Sequence, residues 1–139
     1  MTKSPDPVPD VTFTVLGHLQ SMKNRRIPSR RNPYITLPNA GAVSFERDFL
    51  LQVPATYRDL KLGTPQLPLR AEIHVWYPTL KNDLDCALVY DLLQKAGVIA
   101  NDRYIREKHE FAGIDPANPR VMVRIGTILD PPFSPSSGP

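Results

Sequence analysis

Three aspartates flank a short apolar-periodic stretch within residues 81–105, KNDLDCALVYDLLQKAGVIANDRYI. Asp83 and Asp85 precede the periodic run, and Asp102 follows it. Carboxylates that crowd together repel one another, so one of them binds a proton unless a cation compensates the charge. Mg²⁺ suits this task, because it accepts one or two carboxylates and keeps waters and substrate phosphate oxygens as its other ligands. A metal held in this way activates water for attack on a phosphodiester, so these acids indicate hydrolysis of a nucleic acid.

An aspartate before a helix also has a simpler role, which is to cap the free backbone N–H groups of the first turn. Asp83 and Asp85 are placed so that one of them caps and the other projects outward. Asp102 meets the pair only if the chain leaves a sheet, runs along the helix and returns to the sheet beside them. The spacing leaves two roles open, which are a metal site of three carboxylates and a set of aspartates that only cap a helix.

A basic segment without a single acid, HLQSMKNRRIPSRRN, occupies residues 18–32. Lysine and arginine supply most protein contacts to nucleic-acid phosphates, and a flexible loop between strands can follow a phosphate backbone. The alternative is a solvated, charged hairpin tip. The residues that we expect to contact DNA phosphates are Lys23, Asn24, Arg25, Arg26, Arg30 and Arg31, with Lys81 and Arg103 beside the aspartates.

Composition limits the class of protein. The chain has 139 residues, of which 41% are hydrophobic and 22% charged, and this length and composition suit one globular domain. Its net charge of +3 is compatible with a polyanionic partner. No stretch resembles a membrane span or a secretory signal, and the single cysteine, Cys86, cannot form an internal disulfide. These features predict a cytoplasmic protein with no membrane partner. No glycine-rich phosphate-binding loop is present, so no nucleotide cofactor is expected.

The elements that must position these residues follow from periodicity and turn signals. Alternating apolar residues predict strands at residues 11–17, 33–39, 71–78, 103–111 and 120–128. We expect the first two strands to pair as a long hairpin. Helical spacing predicts one helix over residues 42–53 and a second helix that begins after the aspartates and ends at Gly97.

The order strand, strand, helix, strand, helix, strand, strand predicts an α+β fold. We expect a small mixed or antiparallel sheet with two main helices packed on one face. The two ends of the chain, residues 1–10 and 130–139, are rich in proline and poor in groups that build a core. They are expected to be disordered tails on either side of a single domain at residues 11–129.

The ordered set of motifs resembles the RusA-like Holliday junction resolvases, a family common in phages and prophages. A strand leads into a small Lys/Asn/Arg loop, here SMKNRR at residues 21–26. A DLDN-type motif follows a later strand, here DLDC at 83–86. A helix then ends in an Ala-Gly-Val-Ile stretch, here KAGVI at 95–99, and an acidic motif follows, here NDRYI at 101–105. The resemblance covers nearly all of the predicted domain.

This resemblance implies a RusA-like homodimer that cuts four-way DNA junctions in recombination and repair. It implies Mg²⁺ as the cofactor, with Mn²⁺ as an alternative ion, and the cytoplasm of a bacterial host cell as the location. Asp83, Asp85 and Asp102 would be the metal-binding, catalytic carboxylates. Two sites related by the dimer symmetry would then nick two opposed strands of one junction.

The chain departs from the family pattern beside the first acids. Cys86 stands where the family has Asn, Asn101 stands where an Asp is common, and no lysine follows about one helical turn later. The missing lysine puts stabilisation of transition-state charge in doubt, and the residues that could substitute for it are Lys81, Lys23 and Arg103. Two alternatives therefore stay open. One is a dimer that binds branched or single-stranded DNA without cutting it, and the other is a protein-interaction domain whose acids cap a helix.

Overall fold

The structure is a computed structural model of the 139-residue chain, and it describes residues 11–21, 26–28, 31, 36–38 and 40–128. The predicted tails and four of the predicted phosphate contacts, Lys23, Asn24, Arg25 and Arg30, lie outside the described residues. Predictions made for these parts of the chain stay predictions.

In chain order the elements are β1 (Val11–Leu16), β2 (Arg26–Pro28), β3 (Thr36–Pro38), α1 (Ala40–Gln52), β4 (Leu69–Tyr77), α2 (Ala87–Lys95), β5 (Ile105–Ile114) and β6 (Arg120–Thr127). Short 3₁₀ turns lie at Ala55–Tyr57 and Asp102–Tyr104. Four strands form one sheet in the order β1-β6-β4-β5, in which β4 and β5 run parallel and the other neighbours antiparallel. The predicted α+β fold with a mixed sheet and two helices is confirmed.

The predicted hairpin between the first two strands is wrong. β1 pairs with β6, and the segment predicted as the second strand contributes β3 to a separate two-stranded sheet with β2. In the β1–β6 register, Val11 lies opposite Ile125 and Phe13 opposite Val123, and all four side chains are buried. Because side chains alternate across a strand, this register collects the apolar residues of both strands on one face of the sheet. The burial of that joint apolar face favours β6 as the partner of β1.

Both helices contribute to the core on one face of the sheet. Phe45 and Phe49 of α1 and Leu88 and Leu92 of α2 pack in the same cluster as the inward residues of β4. Burial along β4 alternates, and its outward residues stay partly exposed. One face of the sheet is therefore packed and the other is open, as mixed and antiparallel sheets allow. Neither α1 nor α2 is long and apolar enough to cross a membrane, and no other helix of the described residues is.

The end of α2 agrees with the predicted stop signal at Gly97. Gly97 has a φ of +80°, and a Cβ built on it would lie 2.9 to 3.1 Å from three atoms of Asp59. L-amino acids with a side chain rarely adopt this backbone conformation, and the approach of Asp59 leaves no room for one. The Gly97 carbonyl also accepts a hydrogen bond from the backbone N–H of Lys61 at 2.7 Å. A glycine is therefore required where α2 turns back towards the preceding loop.

The parallel pair β4 and β5 decides where the flanking loops lie. Parallel strands need a connection that returns the chain to the starting end of the sheet, and α2 makes that return. Leu69 at the start of β4 lies opposite Ile105 at the start of β5, and Tyr77 lies opposite Ile114 at the other end. Residues that follow β4 and residues that precede β5 therefore lie at opposite ends of the sheet.

Candidate functional site

A polar pocket of about 410 Å³ opens where β4 ends, and it contains two of the three predicted acids. Asp83 and Asp85 line it together with Tyr77, Lys81 and the segment at residues 19–21 that follows β1. We call this cavity the acidic pocket. Because residues 19–21 belong to the predicted basic segment, the pocket brings the first acid pair and the start of that segment together.

Tyr77, the last residue of β4, fixes the backbone of the acidic pocket. Its hydroxyl donates a hydrogen bond to the Asp83 carbonyl at 3.1 Å and accepts one from the Asp85 N–H at 3.3 Å. Burial raises the pKa of Tyr77 above its ordinary value of 10.0, so the phenol stays protonated and able to donate. One buried side chain therefore holds the turn that carries both acids.

Asp85 joins two segments of the chain. Its Oδ1 accepts a hydrogen bond from the Ala87 N–H at 3.1 Å, which satisfies a free donor at the start of α2. Its Oδ2 accepts a hydrogen bond from the hydroxyl of Ser21 at 2.9 Å. The sequence predicts that one acid of the pair bonds the free N–H groups of the helix start. Asp85 does so from the position before the N-cap residue, Cys86. The same carboxylate therefore contacts both the start of α2 and Ser21, which follows β1 in the predicted basic segment.

Asp83 has a different environment. Its side chain is exposed and makes no hydrogen bond or ion pair with any residue in the described part of the chain. Lys81, also exposed, lines the same pocket two residues earlier. Asp83 therefore offers a carboxylate to a ligand, and Lys81 offers the only lysine or arginine cation among the described residues that line this pocket.

The structure does not bring Asp102 to the acid pair. Its backbone N–H donates to the Gln94 side chain at 3.1 Å, which places Asp102 beside the last turn of α2, whereas Asp85 contacts the first turn. A helix of nine residues is about 13 Å long. Two oxygens bound to one Mg²⁺ lie within about 4 Å of each other, given metal–oxygen distances of about 2.1 Å.

The expected meeting of three carboxylates therefore does not occur within one chain. No group of three or more His, Cys, Asp or Glu side chains in the described residues is arranged to hold a metal ion. The physical reason is the parallel pairing of β4 and β5, which sends the loop after β4 and the loop before β5 to opposite ends of the sheet.

The remaining predicted cations that the structure describes are Arg26, Arg31 and Arg103. Arg103 lies in the Asp102–Tyr104 turn, at the end of the sheet away from the acidic pocket, and its guanidinium lies over the ring of Tyr104. Arg103 is therefore not placed to substitute for the missing lysine within one chain. Arg26 begins β2, and Arg31 is exposed.

A polar cluster between α2 and β5 escaped the sequence analysis. The Tyr90 hydroxyl donates to Glu110 at 2.5 Å, and the ammonium of Lys108 lies 4.4 Å from the centre of the Tyr90 ring. Burial, followed by the charge of Glu110, raises the pKa of the nearby Cys86 thiol to about 12. Cys86 is therefore a neutral, buried thiol at neutral pH. Tyr90 and Glu110 are twenty residues apart, so local sequence patterns do not predict their contact. The only related signal was that Glu110 belongs to a predicted strand.

Comparison with known proteins does not assign a family or a function to the chain. No protein-family model matches the chain, and no curated protein matches it significantly.

Proposed function

We propose that this chain is a RusA-like, Mg²⁺-dependent endonuclease that cuts four-way DNA junctions as a homodimer in the cytoplasm of a bacterial cell. The observation that carries the proposal is the acidic pocket, where Ser21 of the basic segment is hydrogen-bonded to Asp85 of the acid pair. A nuclease needs carboxylates where a phosphate is attacked and cations where the neighbouring phosphates lie. Lys23 follows Ser21 by two residues in the sequence, and we propose that the basic segment supplies those cations.

The oxygen donors of the acidic pocket fit a hard divalent cation. One or two carboxylates suffice for Mg²⁺ when waters and substrate phosphate oxygens complete its shell. Asp83 provides an exposed carboxylate, and the Asp85 carboxylate lies in the same pocket. An ion bound there would activate a water molecule for attack on the phosphodiester. Mn²⁺ prefers the same oxygen ligands and is expected to substitute for Mg²⁺.

The protein's own side chains supply the rest of the chemistry. Tyr77 holds the turn at residues 83–85 so that the two carboxylates keep their positions. Lys81 places a positive charge at the pocket, where it stabilises the negative charge that develops on the attacked phosphate. Two such pockets related by dimer symmetry would nick two opposed strands of a junction.

A second candidate function is favoured by one observation. Both oxygens of Asp85 already accept hydrogen bonds within the chain, and Asp102 lies at the other end of the sheet. A site with one exposed acid is poorer in metal ligands than the family pattern implies. The second candidate is therefore a dimer that binds branched or single-stranded DNA without cutting it.

The deciding experiment is incubation of an end-labelled four-way junction with the full-length protein and Mg²⁺. We expect paired nicks in opposed strands from the wild type, and at least about a hundredfold lower cutting rate from Asp83→Asn. The matched control is Asp91→Asn, which removes the same charge from an exposed position on α2 and is expected to cut like the wild type.

The outcomes separate the two candidates. Equal cutting by the wild type and Asp83→Asn would mean that the acidic pocket is not the site of hydrolysis. Tight, salt-sensitive junction binding without any Mg²⁺-dependent nicking would establish the binding function instead.

A further inference from the structure

A second groove opens at the end of the sheet away from the acidic pocket. It has a volume of about 510 Å³, and its lining includes Pro65, Pro68, Arg103, Tyr104 and Arg106. We call it the arginine groove. Arg103 and Tyr104 belong to the turn that precedes β5, and Pro68 directly precedes β4, so the groove lies where both parallel strands begin.

The arginines of this groove lack carboxylate partners. Arg103 and Arg106 are exposed, and neither forms an ion pair with any residue that the structure describes, Asp102 included. Arginines on the open face of the sheet differ in this respect, since Arg70 lies 3.0 Å from Glu107 and Arg120 lies 2.7 Å from Asp115. Unpaired guanidinium groups present planar sets of N–H donors that match phosphate oxygens.

The groove also has side-chain rings beside these charges. The Arg103 guanidinium lies 5.0 Å from the centre of the Tyr104 ring and donates to the Tyr104 hydroxyl at 3.1 Å, so it is held in place. The rings of Tyr104, Pro65 and Pro68 line the same cavity. Rings beside cations suit a nucleotide, since a base or sugar packs on the rings while the phosphates bind the guanidinium groups.

We propose that the arginine groove binds one nucleotide unit of a DNA strand, with Arg103 and Arg106 on its flanking phosphates. This inference takes DNA as the polyanion from the proposed function, but it does not require that the protein cuts DNA. The nine residues of β4 separate the groove from the acidic pocket by roughly 26 Å at about 3.3 Å per residue. A strand with one nucleotide per 3.4 Å covers that distance in about eight nucleotides, so one arm of a junction would reach both sites.

The test measures DNA binding in EDTA, where no metal-dependent cutting occurs. The probes are a fluorescein-labelled 16-mer oligothymidylate and a labelled four-way junction. For the double variant Arg103→Gln/Arg106→Gln we expect about tenfold weaker binding or more. We also expect the slope of log affinity against log salt to fall by about 1.4 for the single strand, because two phosphate contacts are lost. The control Arg70→Gln removes an ion-paired arginine and is expected to change affinity less than about twofold.

The contacts with the rings have a separate readout. An oligonucleotide of the same length with abasic sites is expected to bind the wild type at least about threefold more weakly, because stacking contributes to affinity. Equal binding of abasic and normal strands overturns the nucleotide assignment.

Three other results also overturn the inference. They are an unchanged salt slope in the double variant, an equal loss in Arg70→Gln, and arginine-dependent binding of polyglutamate with none of oligothymidylate. If the wild-type protein does not cut DNA but binds it through Arg103 and Arg106, the proposed nuclease activity is wrong and this inference still holds.

Discussion

At the residue scale, the two acids of the acidic pocket differ in their contacts and exposure. Asp85 accepts hydrogen bonds from Ala87 and Ser21, so it holds local structure together. The Asp83 side chain is exposed and has no hydrogen-bonding or ion-pair partner among the described residues. The two carboxylates of one DxD pattern therefore differ in environment, because Asp85 is bonded within the chain and the Asp83 side chain is exposed.

Lys81 is expected to act in the chemical step more than in DNA binding. For Lys81→Gln we predict a cutting rate about tenfold to a hundredfold lower, because one cation near the developing charge is lost. Junction affinity in EDTA is expected to fall less than about tenfold, since one phosphate contact among several disappears. Single-turnover cleavage and fluorescence anisotropy measure the two effects. Lys61→Gln, an exposed lysine outside the pocket lining, is the control, and equal cutting rates in both variants would contradict the role of Lys81.

The start of α2 depends on Asp85 at the scale of the element. We predict that Asp85→Ala lowers the free energy of unfolding by about 1 kcal/mol or more, because it removes the acceptor for the Ala87 N–H. Asp85→Asn keeps an amide oxygen that accepts the same bond, so its free energy of unfolding should stay closer to that of the wild type. Urea unfolding measures both. Identical values for the two variants would mean that the cap does not stabilise α2.

The end of α2 depends on Gly97. Gly97→Ala is predicted to lower the free energy of unfolding by roughly 1 to 3 kcal/mol, because φ is +80° and a Cβ would meet Asp59 at 2.9 to 3.1 Å. Gly41→Ala in the first turn of α1 is the control, and it should be neutral or stabilising since alanine favours helices. Urea midpoints of the two variants make the comparison. A loss for Gly41→Ala as large as that for Gly97→Ala would contradict the backbone explanation.

At the scale of the whole molecule, ion pairs and stacked rings occupy the open face of the sheet. The Arg120 guanidinium lies over the Trp76 ring, Trp76 stacks with His74, and His74 stacks with Phe111 across to β5. Arg120 also pairs with Asp115. Three neighbouring strands are therefore linked on the face that the helices leave uncovered.

These ion pairs predict how stability changes in acid. His109 and then Arg70 lower the pKa of Glu107, and Arg120 lowers the pKa of Asp115. A carboxyl whose pKa is lower in the folded chain stabilises the fold above its unfolded pKa of about 4, and this contribution is lost as the pH falls through the folded value. Between pH 7 and pH 3 the urea midpoint of Glu107→Gln/Asp115→Asn should therefore fall less than that of the wild type. An equal fall in both proteins would contradict this assignment.

Much of the local structure follows from sequence alone. The alternation in β1 and β4, the helical spacing of α1 and the glycine at the end of α2 are local signals, and each element lies close to its predicted position. Local signals suffice there because a residue's own periodicity and backbone preferences determine whether it joins a strand, a helix or a turn. The pairing of an acid with the start of α2 is predicted for the same reason.

Only the tertiary structure decided how these elements pair and which chemical groups meet. β1 takes β6 as its partner although β6 is more than a hundred residues away, because the two strands bury their apolar faces together. The parallel pairing of β4 and β5 then separates Asp102 from the acid pair and creates a groove with Arg103 at the far end of the sheet. Sequence spacing cannot supply these results, because the distance between two side chains in space depends on non-local burial and on strand direction.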